Sequence, residues 1–172
     1  MSRINKFLML LLLFSGATLL HGQRGQTVEY THGTTPWYAD AGLAYGDDVE
    51  EFGLRLGGGY DLPNIQRLRL AGNFIWYFAD SPVDWYTISA YAQYSIIQGQ
   101  VFDVYALAGG IYSRKKFDNP VFGSQSKSDI GFLFGGGGEF HIMDNASLYT
   151  ELTASTGDLD QLVWSLGVRY FF

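Results

Sequence analysis

The sequence predicts an all-β fold, an eight-stranded antiparallel up-and-down transmembrane β-barrel. Three observations carry that prediction. From Trp37 onward the chain falls into eight segments of about ten residues, in which apolar side chains alternate with small or polar ones. Within every segment the charged residues share one parity. The large aromatics of the apolar parity gather at the segment ends, with alanine and aliphatic residues between them, as in a barrel that spans a bilayer.

The first segment sets Trp37, Ala39, Ala41, Leu43 and Tyr45 against Tyr38, Asp40, Gly42 and Ala44. The second sets Phe52, Leu54, Leu56 and Tyr60 against Glu51, Gly53, Arg55, Gly57 and Gly59. In the third, Leu68, Leu70, Phe74, Trp76 and Phe78 oppose Arg67, Arg69, Ala71 and Asn73. In the fourth, Tyr86, Ile88, Ala90, Ala92 and Tyr94 oppose Thr87, Ser89, Tyr91 and Gln93. The fifth sets Phe102, Val104, Ala106, Ala108 and Tyr112 against Asp103, Tyr105 and Gly109, and the sixth Phe132, Phe134 and Phe140 against Asp129, Gly131, Gly135, Gly137 and Glu139. Leu148, Thr150, Leu152 and Ala154 oppose Tyr149, Glu151 and Thr153 in the seventh. The eighth sets Leu162, Trp164, Leu166, Val168, Tyr170 and Phe172 against Gln161, Ser165, Gly167 and Arg169.

Asp61 to Asn64, Ile97 to Gln100 and Met143 to Asn145 read as tight turns. Between them, Asp47 to Glu50, Ala79 to Asp84, Ser113 to Lys127 and Ser155 to Asp160 read as longer, charged loops. Short periplasmic turns alternating with longer outer loops suit a barrel with an even strand number.

The apolar face must meet lipid rather than a core. An eight-stranded barrel encloses room only for packed side chains or one small ligand, too little for this many aromatics. The opposite face is glycine, alanine, serine, threonine and isolated charges, which suits a crowded polar lumen. A soluble lipocalin-like binding barrel is the alternative. Closure follows from the membrane itself, because unpaired backbone groups in hydrocarbon cost several kcal/mol each. The runs Gly57 to Gly59 and Gly135 to Gly138 are expected to make room for lumen rings such as Tyr77, Tyr91 or Tyr149.

Arg3 and Lys6 precede an apolar run from Phe7 to Leu20, and His21, Gly22 and Gln23 restore polarity, the layout of a secretory signal peptide. The expected organisation is therefore a signal peptide at 1–22, a periplasmic lead-in at 23–36 and one barrel domain at 37–172. The chain has no Cys, which excludes disulfides, thiolate metal sites and a cysteine nucleophile. The full chain carries 11 Lys+Arg and 17 Asp+Glu; without Arg3 and Lys6 the balance is 9 against 17, a net charge of −8. That sign argues against a nucleic-acid partner, which would need a basic footprint.

On the lumen parity, the acids Asp40, Glu51, Asp103, Glu139 and Glu151 face Arg55, Arg67, Arg69 and Arg169, and an unpaired charge there is costly, so an ion network is expected. Its simplest role is a structural plug; a narrow pore is the alternative. An acyl hydrolase or transferase would need a base beside a serine, with an acid orienting the base. Only His32 and His141 remain after the leader, and His141 has lumen parity near Glu139. No convincing catalytic constellation emerges, and no cofactor or metal is implied. Arg114, Lys115, Lys116 and Lys127 make Ser113 to Lys127 the basic loop, a candidate contact for lipopolysaccharide phosphates or an external polyanion.

The last residues, Ser165-Leu166-Gly167-Val168-Arg169-Tyr170-Phe171-Phe172, resemble the C-terminal closing strand of bacterial outer-membrane β-barrels at Ser165, Gly167, Tyr170 and Phe172. Residues 37–172 are similar to the small eight-stranded OmpX/OmpA-like family of outer-membrane barrels. That resemblance implies an integral protein of a Gram-negative outer membrane, inserted by the outer-membrane assembly machinery through its last strand, monomeric, and with a structural or surface-interaction role. Small outer-membrane barrels also include lipid A-modifying enzymes; the deacylase pattern wants a lipid-facing His and Ser two positions apart, and Met143 stands two positions after His141. A change at Phe172, which has lipid parity, is expected to impair assembly more than the same change at Phe171.

Overall fold

The computed structural model describes residues 35–47, 50–63, 65, 67–78, 83–119, 123–157 and 160–172. The expected signal peptide, His32 and the lead-in up to residue 34 lie outside the described residues. Eight strands follow one another: β1 (Trp37–Gly46), β2 (Glu51–Asp61), β3 (Leu68–Tyr77), β4 (Val83–Ile97), β5 (Phe102–Asn119), β6 (Gly123–Met143), β7 (Ala146–Ser155) and β8 (Leu162–Phe171). Each pairs antiparallel with its neighbours, and β8 returns to β1 to close the barrel.

Burial is inverted relative to a water-soluble barrel. Arg55 and Arg169 are fully buried and Glu139 and Glu151 nearly so, while Trp37, Phe52, Trp76, Phe132, Trp164 and Phe172 are each more than half exposed. The parity read from the sequence therefore points apolar side chains outward and charges inward. Rings on the outward parity pair across strands near both rims. Trp37 and Tyr60 lie 4.6 Å apart at the end carrying the described chain terminus Phe172, here the near end. Tyr45 and Phe52 lie 5.1 Å apart, and Tyr86 and Tyr112 6.5 Å apart, toward the far end. These are the paired belts expected of a membrane barrel.

The seam is tied on both sides of the last residues. The Phe172 N–H donates to the Trp37 carbonyl at 3.1 Å, and the Thr35 N–H and hydroxyl both donate to the Phe172 carbonyl, at 2.7 and 3.0 Å. Phe171 N–H donates to the Asn145 carbonyl at 2.9 Å. Within the seam Gly42 stands opposite Gly167. A Cβ on either would meet the partner strand's backbone and the Tyr149 hydroxyl, so both positions need glycine to admit that lumen ring. Tyr149 thus gains its room in the seam, and the glycine runs serve other rings, Gly59 beside Tyr38 and Gly137 beside Tyr105.

Two connections differ from expectation. Most of the segment Ser113 to Lys127 is strand rather than loop: β5 continues to Asn119 and β6 begins at Gly123, in unbroken register from Phe102↔Phe140 to Asn119↔Gly123. The contrast between the ends therefore resides in the height of the β5–β6 ribbon rather than in loop length. The turn after β2 is also placed later than expected: β2 runs on through Asp61, opposite Arg69, and β3 begins only at Leu68.

Candidate functional site

Among the described residues, acids and arginines converge in the lumen, delivered there by strand parity. Arg169 on β8 donates to Glu139 on β6 at 2.7 Å and to Asp40 on β1 at 3.3 Å, and lies 3.5 Å from Glu151 on β7. Arg69 on β3 donates to the same Glu139 oxygen at 3.2 Å and to Asp61 at 2.6 Å. One layer farther from the near end, Arg55 on β2 meets Glu151 at 2.7 Å and the Tyr91 hydroxyl at 2.9 Å. Glu151 also accepts from Gln93 at 3.1 Å and from the Tyr105 hydroxyl at 2.8 Å.

Aromatic faces supply the rest of the coordination. The Arg169 guanidinium lies 4.3 Å from the centre of the Tyr38 ring, and that of Arg55 4.7 Å from Tyr149. Arg69 lies 4.8 Å from Tyr38 and 5.4 Å from Phe171, whose fully buried ring floors the near end of the lumen. Buried ions are tolerable only when paired and hydrogen-bonded, and stacking on ring faces adds to that compensation. Toward the far end, Ala44, Ile75, Tyr77, Trp85 and Val163 form an apolar cluster across the lumen. Between the two tiers lies a cavity of about 10 Å³ bordered by Asn73, Thr87, Ser89 and Gln161, room for a single water-sized body and too small for an ion column.

Of the nine residues expected in an ion network, the structure brings together Asp40, Arg55, Arg69, Glu139, Glu151 and Arg169. Three stand apart. Arg67 lies before β3 with positive φ, its side chain exposed. Glu51 is half-exposed at the far rim and forms no ion pair with a described residue. Asp103 meets no arginine; it faces His141 Nε2 at 3.4 Å and accepts the Gly99 N–H at 3.0 Å. Asp61 joins the network unanticipated, because a turn-forming residue type at a strand end reads as a turn.

His141 also contacts Ser147 across the β6–β7 pair, Nδ1 to Oγ 2.9 Å, so a serine, a histidine and an aspartate stand in sequence on three adjacent strands. Ser147 has the parity of Tyr149 and Glu151, the one signal in the sequence that places it inside. Its side chain is 1% exposed and lies against the ion-paired layer. Among the described residues, no cluster of His, Asp and Glu has the makings of a metal site.

The expected C-terminal pattern is distributed by the same parity. Ser165 and Gly167 face the lumen, while Tyr170 and Phe172 face outward with their rings 5.4 Å apart. The four basic residues of the expected loop stand on the two faces of the β5–β6 ribbon: Arg114 and Lys116 on the parity of Tyr112, Lys115 and Lys127 on that of Ser113.

No protein-family model and no curated protein sequence matches the chain. Solved structures do. The N-terminal β-barrel domain of Pseudomonas aeruginosa OprF is 18% identical with a TM-score of 0.66, over 78% of this chain and 95% of that one. Neisserial surface protein A is 20% identical with a TM-score of 0.67, over 80% and 98%. Ail, the attachment invasion locus protein of Yersinia pestis, is 21% identical with a TM-score of 0.60, over 78% and 96%. At such identities the likeness is one of fold, and the fold this chain shares with them is the closed eight-stranded barrel of small outer-membrane proteins.

Proposed function

We propose that the protein is an integral barrel of a bacterial outer membrane, with a sealed lumen and a structural or surface-contact role exercised at its far, outer end. The inverted burial is the observation that supports this most directly: belts of exposed aromatic rings surround a wall whose inner face holds paired charges. In water that arrangement would expose a large apolar surface around the whole circumference, which monomeric soluble proteins avoid. Export through the leader at 1–22 and insertion guided by Ser165, Gly167, Tyr170 and Phe172 belong to the same reading. So does contact of the basic β5–β6 ribbon with lipopolysaccharide or an external polyanion, a role in keeping with Ail, whose structure has also been solved with a heparin analogue.

The test is fractionation of cells expressing the chain. The protein should partition with outer membranes and migrate differently before and after boiling, as closed barrels do. Recovery as a soluble periplasmic monomer would sink the reading.

An acyl-hydrolase reading has one observation in its favour, the Ser147–His141–Asp103 contact chain. Against it, the Ser147 hydroxyl is buried below the lumen mouth, where an ester would have to displace the ion network. Covalent labelling of Ser147 in the folded barrel by a fluorophosphonate would bring that reading forward.

A further inference from the structure

The β5–β6 ribbon rises past the aromatic belt, and its register sorts side chains onto two unlike faces. On the face that continues the lipid side, Arg114 stands opposite Ser128 and Lys116 opposite Ser126. Arg114, Ser126 and Ser128 are exposed and Lys116 is half-buried. Toward β4, Arg114 neighbours Tyr86 and Lys116 neighbours Asp84. The Arg114–Ser128 rung thus has no carboxylate in register, the Lys116–Ser126 rung has Asp84 beside it, and Asp118↔Ser124 is the last rung on this face. On the other face Lys115 stands opposite Lys127, and the Lys115 ammonium sits 4.5 Å from the Trp85 ring, over the barrel mouth.

Directly opposed side chains in such a ladder are about 5 Å apart, and successive residues on one face about 7 Å. A guanidinium, an ammonium and two hydroxyls therefore border a single patch about as wide as one phosphate group. Its chemistry is donor-rich, and arginine matches the phosphate oxygens in a two-pronged way that lysine cannot. We propose that Arg114, Lys116, Ser126 and Ser128 bind a phosphate monoester, rather than a diester, of a lipid headgroup in the leaflet around the far end of the barrel. The site rests on the membrane reading given above and gives its basic ribbon a specific partner.

Depth and direction select a membrane lipid over a soluble polyanion. Arg114 is two residues beyond Tyr112 and Lys116 four, roughly 7 and 13 Å along the strand before tilt is allowed for. Girdle rings lie at the membrane–water interface, so this patch stands at the level of the headgroup phosphates and faces them sideways. A polyanion arriving from solution would meet Lys115 and Lys127 first, because those two look over the mouth.

The experiment places the purified chain in phosphatidylcholine vesicles containing bisphosphorylated lipid A. Parallel vesicles contain dephosphorylated lipid A, with phosphatidylglycerol added to restore the charge. Altered mobility before boiling verifies insertion, and native mass spectrometry counts the lipid that stays bound. The unaltered barrel should retain the phosphorylated lipid and not its dephosphorylated counterpart. R114Q/K116Q should lower retention by about tenfold or more, given what each cation is worth near an anionic surface. S126A/S128A should lower it less, and K115Q/K127Q should leave it unchanged. Wild-type retention in R114Q/K116Q, equal losses from the two cation pairs, or equal retention of both lipids would each overturn the site. Failure of the unaltered barrel to insert would instead count against the membrane reading itself.

Discussion

Replacing Arg169 with alanine removes the ion-pair partner of Asp40 and leaves Glu139 with one guanidinium instead of two. Both carboxylates are buried, so neither can recover its hydration. The expected loss of stability is about 3–5 kcal/mol, the range for breaking a buried pair from one side. Urea unfolding of the lipid-inserted barrel measures it. Arg169→Lys should fall between, since an ammonium keeps the charge but cannot reach Glu139 and Asp40 together from two nitrogens of one plane. A loss under about 1 kcal/mol for Arg169→Ala would mean the lumen is wet enough to behave as surface. The inward direction of Arg169 was legible from its parity alone. Its partners were not, because alternation says which side a residue faces and nothing about which strand lies across the lumen. Asp103 illustrates the limit: it faces inward as expected and stands in register with Glu139 across β5–β6, but its contact is His141, one diagonal step along β6.

Strand ends were harder to read than strand middles, for a physical reason. Hydrophobic alternation exists only where one face meets lipid. Above the girdle neither face of the β5–β6 ribbon meets hydrocarbon, so the sequence from Ser113 to Lys127 loses its period and looks like a loop while backbone pairing continues as far as Asn119↔Gly123. The last strand teaches the complementary lesson. Both terminal phenylalanines are aromatic, yet Phe171 is 1% exposed against Arg69 and Tyr38, whereas Phe172 is 53% exposed on the lipid side. Their substitutions should therefore separate in two assays. Phe171→Ala should destabilise the assembled barrel by about 3–5 kcal/mol through the cavity it leaves. Phe172→Ala should change the unfolding midpoint little and instead lower the yield of assembled protein in cells, if its outward ring is part of what the insertion machinery reads. Equal effects of the two in both assays would remove the distinction between a lumen floor and an assembly signal.

Whether the barrel conducts is decided by its tiers acting together. The Arg169–Glu139–Arg69 layer closes the near half, the Arg55–Glu151 layer the middle, and the Tyr77–Trp85 cluster the far half, with a water-sized cavity between. An ion crossing this lumen would have to shed its water and part paired charges in more than one layer, each parting being costly in a low dielectric. The unaltered protein should therefore give no steady single-channel current in a planar bilayer. Opening one tier should not suffice: Arg55→Ala alone leaves the Glu139 layer and the apolar cluster in place. Joint removal, as in Arg55→Ala with Arg169→Ala and Trp85→Ala, should produce brief conducting events, provided the variant still shows the altered mobility of a folded barrel before boiling. Large, steady current from the unaltered chain would show that the paired charges part readily, and would move the reading from a sealed structural barrel to a selective pore.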